Sequence, residues 1–153
     1  MDAPPLPGVR IVPLKKYADS RGWLTELFRD DELPDGFRPA MGYLSVTLPG
    51  VARGPHEHVH QTDCFAFLSG TFELILWENR AGRPAERHSL YVGENNPAVI
   101  FVPPGVVHAY RNVGDSDAFV LNFPDRLYAG PGKSEPVDEI RHEGDPDSPF
   151  QMP

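Results

Sequence analysis

The sequence holds one cysteine, Cys64. An intramolecular disulfide is therefore excluded, and packing and hydrogen bonds must hold the fold. Long apolar runs are also missing. None approaches the ~20 residues a helix needs to cross a bilayer, so no membrane partner is expected. The opening residues, MDAPPLPG, show no basic stretch leading into an apolar one. No signal peptide is expected, and the expected setting is cytoplasmic. Cations are scarce: 14 Lys and Arg stand against 22 Asp and Glu, for a net charge of −8. Nucleic acid is excluded as a general partner, because phosphate backbones need clustered lysine and arginine. A small anionic ligand is not excluded, since one or two well-placed arginines hold a phosphate.

Proline (18) and glycine (14) are plentiful. They are spread as punctuation between short apolar runs, which predicts turns in a strand-rich fold. A chain of 153 residues suits one domain, taken as residues 1–153. Residues 1–9 read as a loose N-terminal arm, and the polar, proline-rich residues 124–153 as a wrap over the surface. Strands are predicted at 10–17, 22–28, 42–48, 87–92, 98–102, 106–113 and 117–123, with at most one helical turn at 30–34. The stretch DCFAFLSGTFELILW (63–77) reads as a hairpin about Ser69-Gly70. Short strands with turn signals between them, and no amphipathic helix of three turns, indicate an all-β sandwich or barrel.

The chemistry gathers in RGPHEHVHQTD (53–63). Alternate side chains of a strand share a face, so His56, His58 and His60 project together if the segment is extended. Asp63 has the wrong parity for one continuous strand, and the Gln61-Thr62 step can reset the register. Far along the chain, PPGVVHAYRN (103–112) places His108 three residues after a Pro-Gly turn.

These two segments resemble the two cupin motifs. His56-x-His58, Asp63 and Gly70 fit the first, with aspartate where glutamate is usual; Pro103, Gly105, His108 and Asn112 fit the second. The resemblance implies a double-stranded β-helix, the jelly-roll barrel, with His56, His58, Asp63 and His108 pointing into its mouth. A narrower resemblance is to the dTDP-4-dehydrorhamnose 3,5-epimerase family of cupins. It rests on DSRGWLTELF (19–28), GVARGPH (50–56), VPPGVVHAY (102–110) and, loosely, DRLY (125–128). It implies a nucleotide-linked 4-keto-deoxysugar as substrate. His56 would be the general base, Arg53 and Arg21 would bind the diphosphate, Glu26 the base moiety, and His108 would orient the sugar. It also implies a homodimer whose N-terminal strands pair across subunits.

Three positions depart from the family. Its lysine falls at Asp63, its tyrosine acid falls near Leu121, and its far C-terminal aspartate, which pairs with the base, has no counterpart. Enolate chemistry needs a base, a positive group and a proton donor. An aspartate in place of lysine reverses the sign of the positive group. A divalent cation (Fe, Mn, Ni or Zn) held by His56, His58, Asp63 and His108 would restore it, although the epimerase reading requires no cofactor. Tyr110 and Tyr128 are the candidate proton donors. Two alternatives therefore stand beside the epimerase: a metal-dependent cupin dioxygenase, lyase or isomerase, and a non-catalytic sugar-nucleotide binder.

Simpler roles are expected elsewhere. Arg21 with Glu26 can form an edge-strand ion pair, and Arg53 can bridge to a neighbour. Trp23, Phe65, Phe67, Phe72, Trp77 and Phe101 are expected in the core. His60 is expected to face solvent or cap the pocket, and His88 and His142 to be exposed bystanders. Cys64 is expected to be a small buried apolar residue. The tail carboxylates Asp138, Glu139, Glu143, Asp145 and Asp147 are expected to be solvated.

Overall fold

The computed structural model describes residues 4–153. In chain order its strands are β1 (Arg10–Pro13), β2 (Tyr17–Asp19), β3 (Gly22–Leu24), β4 (Tyr43–Thr47), β5 (Ala52–Glu57), β6 (Asp63–Phe67), β7 (Thr71–Glu78), β8 (Arg87–Gly93), β9 (Ala98–Val102), β10 (Val106–Asn112), β11 (Ala118–Asn122) and β12 (Ile140–Arg141). Two antiparallel five-stranded sheets face each other, β1-β9-β6-β11-β4 and β12-β5-β10-β7-β8, and β2 pairs with β3 alone. This is the all-β jelly roll expected from the motif spacing.

Strand parity builds the core. Phe65 and Phe67 on β6, Phe72, Leu74 and Leu76 on β7, Ile100 and Val102 on β9 and Val120 on β11 all turn into the space between the sheets. Each such burial contributes roughly 1.5–3 kcal/mol relative to exposure. The outer faces are apolar too, and loops cover them. Phe37, Leu27 and Leu33 lie over Cys64, Ala66, Val99 and Phe101, while Phe150 and Met152 lie over Ile75, Trp77, Val107 and Ala109.

Several expectations need correcting. The hairpin over 63–77 does not form, because β6 and β7 belong to opposite sheets. Both strands are buried on two faces, and an apolar run carries no mark of which neighbour it will pair with. Gly70 lets the chain cross: its φ is +59°, and a Cβ there would lie 2.5 Å from the Ala118 Cβ. The N-terminal arm is not loose over its described part, since Leu6 and Val9 are buried in the core; residues 1–3 lie outside the described residues. The strand expected at 10–17 ends at Pro13, and the one at 22–28 ends at Leu24. Trp23 is half exposed, with the Lys16 ammonium 4.5 Å above its ring. Finally, the C-terminal wrap is more than a cover, because β12 adds to the edge of β5.

Candidate active site

The backbone does the first positioning. His108 on β10 lies directly opposite His56 on β5. One step further the register slips, so that Tyr110 opposes Arg53. Gly54 sits in this bulge at φ +86°, where an added Cβ would lie 2.5 Å from the His108 carbonyl oxygen. A bulge resets parity, so Arg53 and His56, three residues apart, line the same cavity.

β5 ends at Glu57, so HEHVH is not one extended strand. The chain turns at 59–61, and that turn is fastened by Asp138 from the C-terminal segment. The Asp138 carboxylate accepts the backbone N–H groups of Val59, His60 and Gln61 at 2.8–2.9 Å. Its carbonyl oxygen accepts from His58 Nδ1. The turn brings Asp63 onto the inner face at the start of β6, as the Gln61-Thr62 step allowed. It also leaves His60 exposed at the rim.

The result is a compact polar cluster. Asp63 Oδ2 lies 3.0 Å from His58 Nε2 and 3.1 Å from His108 Nε2. Asp63 Oδ1 accepts from Asn122 at 2.9 Å and from Gln61 at 2.8 Å. His108 Nδ1 faces the Val106 carbonyl at 3.0 Å. The rings of His56 and His108 meet edge to face, 4.5 Å apart. Above them opens a cavity of about 950 Å³.

Electrostatics gives the imidazoles different tasks. Burial, reinforced by the neighbouring His108, pushes His56 down to about 2, so it is a neutral ring with a free lone pair. Burial also acts against a charge on His58, but Asp63 and Asp138 outweigh it and raise His58 to about 9. Geometry agrees, since both nitrogens of His58 face acceptor oxygens. Burial works against the Asp63 charge as well, and the two histidines override it and hold the carboxyl well below its usual range.

Opposite pH dependences follow. Stability from protonated His58 is fully present below its ordinary 6.5 and is lost as pH rises through about 9. His56 refuses a proton that the unfolded chain accepts below 6.5, so acid removes stability from there downward. Imidazole NMR of the metal-free protein is expected to show His58 titrating near 9 and His56 silent at neutral pH. A His56 titrating near 6.5 would contradict this assignment.

The structure brings together His56, His58, Asp63, His108 and Arg53, as expected. Arg53 already spends two donors bracing β4, on Thr47 Oγ1 at 3.0 Å and the Val46 carbonyl at 2.7 Å. Arg21 and Glu26 are not brought in. Arg21 is exposed and clasps Asp19 at 2.5 Å, and Glu26 lies 3.6 Å from Arg29 beside a smaller cavity near β1. Tyr110 lines the cavity. Its ring is buried among Phe65, Phe67 and Phe72, and its hydroxyl lies 3.2 Å from Ser45 Oγ. Tyr128 lines the cavity but is largely exposed.

Four positions at the site were not anticipated. Besides Asp138, Glu139 places Oε1 3.8 Å from His56 Nδ1. A carboxylate thus stands beside His56 although the family's aspartate has no counterpart in sequence. Glu143 accepts from the Gly54 N–H at 2.8 Å and ties the same segment to the bulge. These tail residues are not simply solvated. Asn122, the lone polar residue of AFVLN, was the legible signal beside Leu121. His142 is no bystander either, since it lies 3.2 Å from Glu57 and against the Phe150 ring. His88 does stay half exposed. Asn112 of the second motif is structural: it bonds the Thr47 and Ser116 carbonyls and the Gly114 N–H.

Imidazoles from two distant motifs meeting in the mouth of a double-sheet jelly roll define a cupin. Comparison with known proteins narrows the class. The family described as polysaccharide biosynthesis C-terminal domain matches residues 17–133, and the chain belongs to it. The probable low-salt glycan biosynthesis epimerase Agl13 of Haloferax volcanii is 34% identical over 128 residues, 82% of either chain. The spore coat polysaccharide biosynthesis protein SpsL of Bacillus subtilis is 35% identical over 124 residues, 79% of this chain and 81% of that one. A dTDP sugar isomerase from Desulfovibrio desulfuricans shares the fold with a TM-score of 0.85, at 22% identity over 99% of this chain and 94% of that one.

Proposed function

We propose that the protein is an epimerase of a nucleotide-linked 4-keto-deoxysugar, working by proton abstraction next to the ketone. The observation that carries this reading is His56: a largely covered, neutral imidazole at the floor of a cavity large enough for a sugar nucleotide. Such a ring stays in its base form at neutral pH, with an unprotonated nitrogen available to the substrate. Glu139 biases its orientation from 3.8 Å. The developing enolate oxygen lies toward His58 at the cavity wall, whose imidazolium, held between Asp63 and the Asp138 carbonyl, supplies a positive field rather than a free N–H. Asp63 replaces the family's lysine by holding a cation in place instead of being one, which resolves the reversal of sign seen in sequence. Arg53 stands at the cavity wall for the diphosphate. One relative is named a probable glycan biosynthesis epimerase, which supports the chemistry, and the other a spore coat polysaccharide biosynthesis protein, which supports a place in polysaccharide synthesis. Thermal shift with thymidine diphosphate tests the substrate class, since a ligand that binds only the native state raises stability. A dose-dependent rise is expected, and no shift at millimolar nucleotide contradicts the reading.

The working unit is proposed to be a homodimer. The β2-β3 hairpin exposes Tyr17, Trp23 and Leu24, and a two-stranded hairpin is marginal unless it packs on something. The edge strand β4 exposes Leu44 and Val46. Arg21 lies outside its own chain's cavity, and a second copy is where the hairpin could deliver it. No helix among the described residues is long and apolar enough to cross a membrane, and a cytoplasmic setting is part of the same proposal.

One observation favours a second reading, in which a divalent cation is bound. Asp63 Oδ2 and His108 Nε2 are fully buried, and their approach to each other misses hydrogen-bond geometry. The ligand atoms of His56, His58 and His108 lie within 4.8 Å of one another. Two of these rings face backbone carbonyls through Nδ1, as metal-bound imidazoles do. The donor set therefore fits a metal, held by His56, His58, Asp63 and His108, which would supply Lewis acidity at a carbonyl or activate a water. Metal analysis of protein purified without added metal decides. About one equivalent supports this reading, and less than about a tenth, unrestored by reconstitution, contradicts it.

A further inference from the structure

We propose that Tyr43 is the acid that returns the proton, on the sugar face opposite His56. This deepens the epimerase reading and rests on it. The inner face of β4 is a polar ladder of Tyr43, Ser45 and Thr47, while Leu44 and Val46 point outward. Ser45 is committed to Tyr110, and Thr47 to Arg53. Tyr43 alone of the three joins the Asp63 network, through Asn122. Its hydroxyl oxygen lies 2.9 Å from Asn122 Nδ2.

The direction of that bond matters. Asn122 Oδ1 accepts the Cys64 N–H at 3.0 Å, which fixes the amide so that Nδ2 faces Asp63 and Tyr43. An amide NH2 only donates, so the Tyr43 oxygen accepts from it. The hydroxyl keeps its own proton, which no group of the network takes. Burial raises this phenol to about 12, so it stays protonated at neutral pH.

The two residues also come from opposite walls. His56 belongs to the sheet of β5 and β10, Tyr43 to the sheet of β4, β11 and β6, and both line the same cavity. A flat enolate lying between the sheets presents one face to each. On the first face His56 takes the proton from the carbon beside the ketone, and the C–H electrons become the enolate C=C as the carbonyl electrons move to oxygen. On the second face the Tyr43 O–H gives its proton to that carbon, the C=C electrons form the new C–H bond, and the C=O returns. Solvent then reprotonates the tyrosinate and takes the proton from His56, so the net change is inversion alone. The family's acid comes from the strand holding Leu121; here that strand offers Asn122, and the neighbouring strand supplies the hydroxyl opposite it.

The experiment compares wild type with Tyr43→Phe on a nucleotide-linked 4-keto-6-deoxyhexose in D2O. Deuterium at the carbon beside the ketone is read by mass spectrometry, and its configuration by NMR. With Phe, inversion is expected to fall at least about 100-fold, the usual scale for losing an acid. Exchange is expected to stay within about threefold, because His56 still removes the proton and returns deuterium to the same face. Thermal shift with thymidine diphosphate checks that the variant folds and binds. A variant that inverts as fast as wild type overturns the role of Tyr43 and leaves the epimerase reading intact. Loss of exchange together with inversion overturns a separate acid role. A wild type showing neither exchange nor inversion overturns the epimerase reading, and Tyr43 with it.

Discussion

Replacing His56 with asparagine is expected to lower epimerisation at least about 1,000-fold, within the range for losing a general base. It should abolish deuterium exchange as well, because the nitrogens of His58 and His108 are committed to Asp63 and to backbone carbonyls, and His60 stands out at the rim. Asparagine keeps polarity and approximate size at a partly buried position, so the fold should persist. Thymidine diphosphate should bind within a few-fold of wild type, since Arg53 and the cavity wall are untouched. This separates His56 from a residue that only shapes the pocket, which would weaken binding and turnover together. The check is kcat measured beside a binding isotherm. An asparagine variant retaining a tenth of wild-type kcat would remove His56 from the role of base.

Asp138→Ala is expected to lower stability and turnover together, although Asp138 touches no reacting atom. Its carboxylate holds three consecutive N–H groups, and its carbonyl holds His58. Removing the carboxylate should cost about 2 kcal/mol, moderated because the turn it fastens is partly exposed and water can replace it. The activity loss should be larger than stability alone explains, roughly tenfold or more in kcat, since a small misplacement of a catalytic ring is costly. Asp138→Asn, which keeps one acceptor oxygen, should fall between alanine and wild type. Chemical denaturation and steady-state kinetics check both parts. An alanine variant that unfolds earlier yet turns over normally would show that the 59–61 turn is held elsewhere.

How far the sequence alone reached is clearest residue by residue. His56 and His108 were legible because each lies in a short motif whose turns fix it locally: Pro103 and Gly105 before one, Gly54 before the other. The jelly roll followed, since regularly spaced short strands allow few other ways to bury alternating faces. Pairing was less legible. Phe65, Phe67, Phe72 and Leu74 alternate smoothly through Ser69-Gly70, and nothing in that run says the chain crosses between sheets. Parity arguments broke where the backbone is irregular. The bulge at Gly54 puts Arg53 and His56 on one wall, and the 59–61 turn returns Asp63 to the site. The tail was misread for a different reason. Asp138, Glu139 and Glu143 look like any solvated acidic run, and their partners lie some eighty residues earlier in the chain. Tyr43 was missed because its value comes from Asn122, which faces it across a strand pair. Arg21 and Glu26 show the opposite error: a good sequence match that one chain's geometry does not bring to the cavity.

The central claim is that this cavity removes a proton beside the ketone of a nucleotide-linked sugar. Its most direct test is wild-type protein with a thymidine-diphosphate-linked 4-keto-6-deoxyhexose in D2O, followed by mass spectrometry and NMR of the recovered sugar. The account predicts that at least one carbon next to the carbonyl gains deuterium and that its configuration inverts, with no other bond changed. Tight binding of the sugar nucleotide with no deuterium gained over many hours would contradict it, and would leave the protein a binder rather than an epimerase.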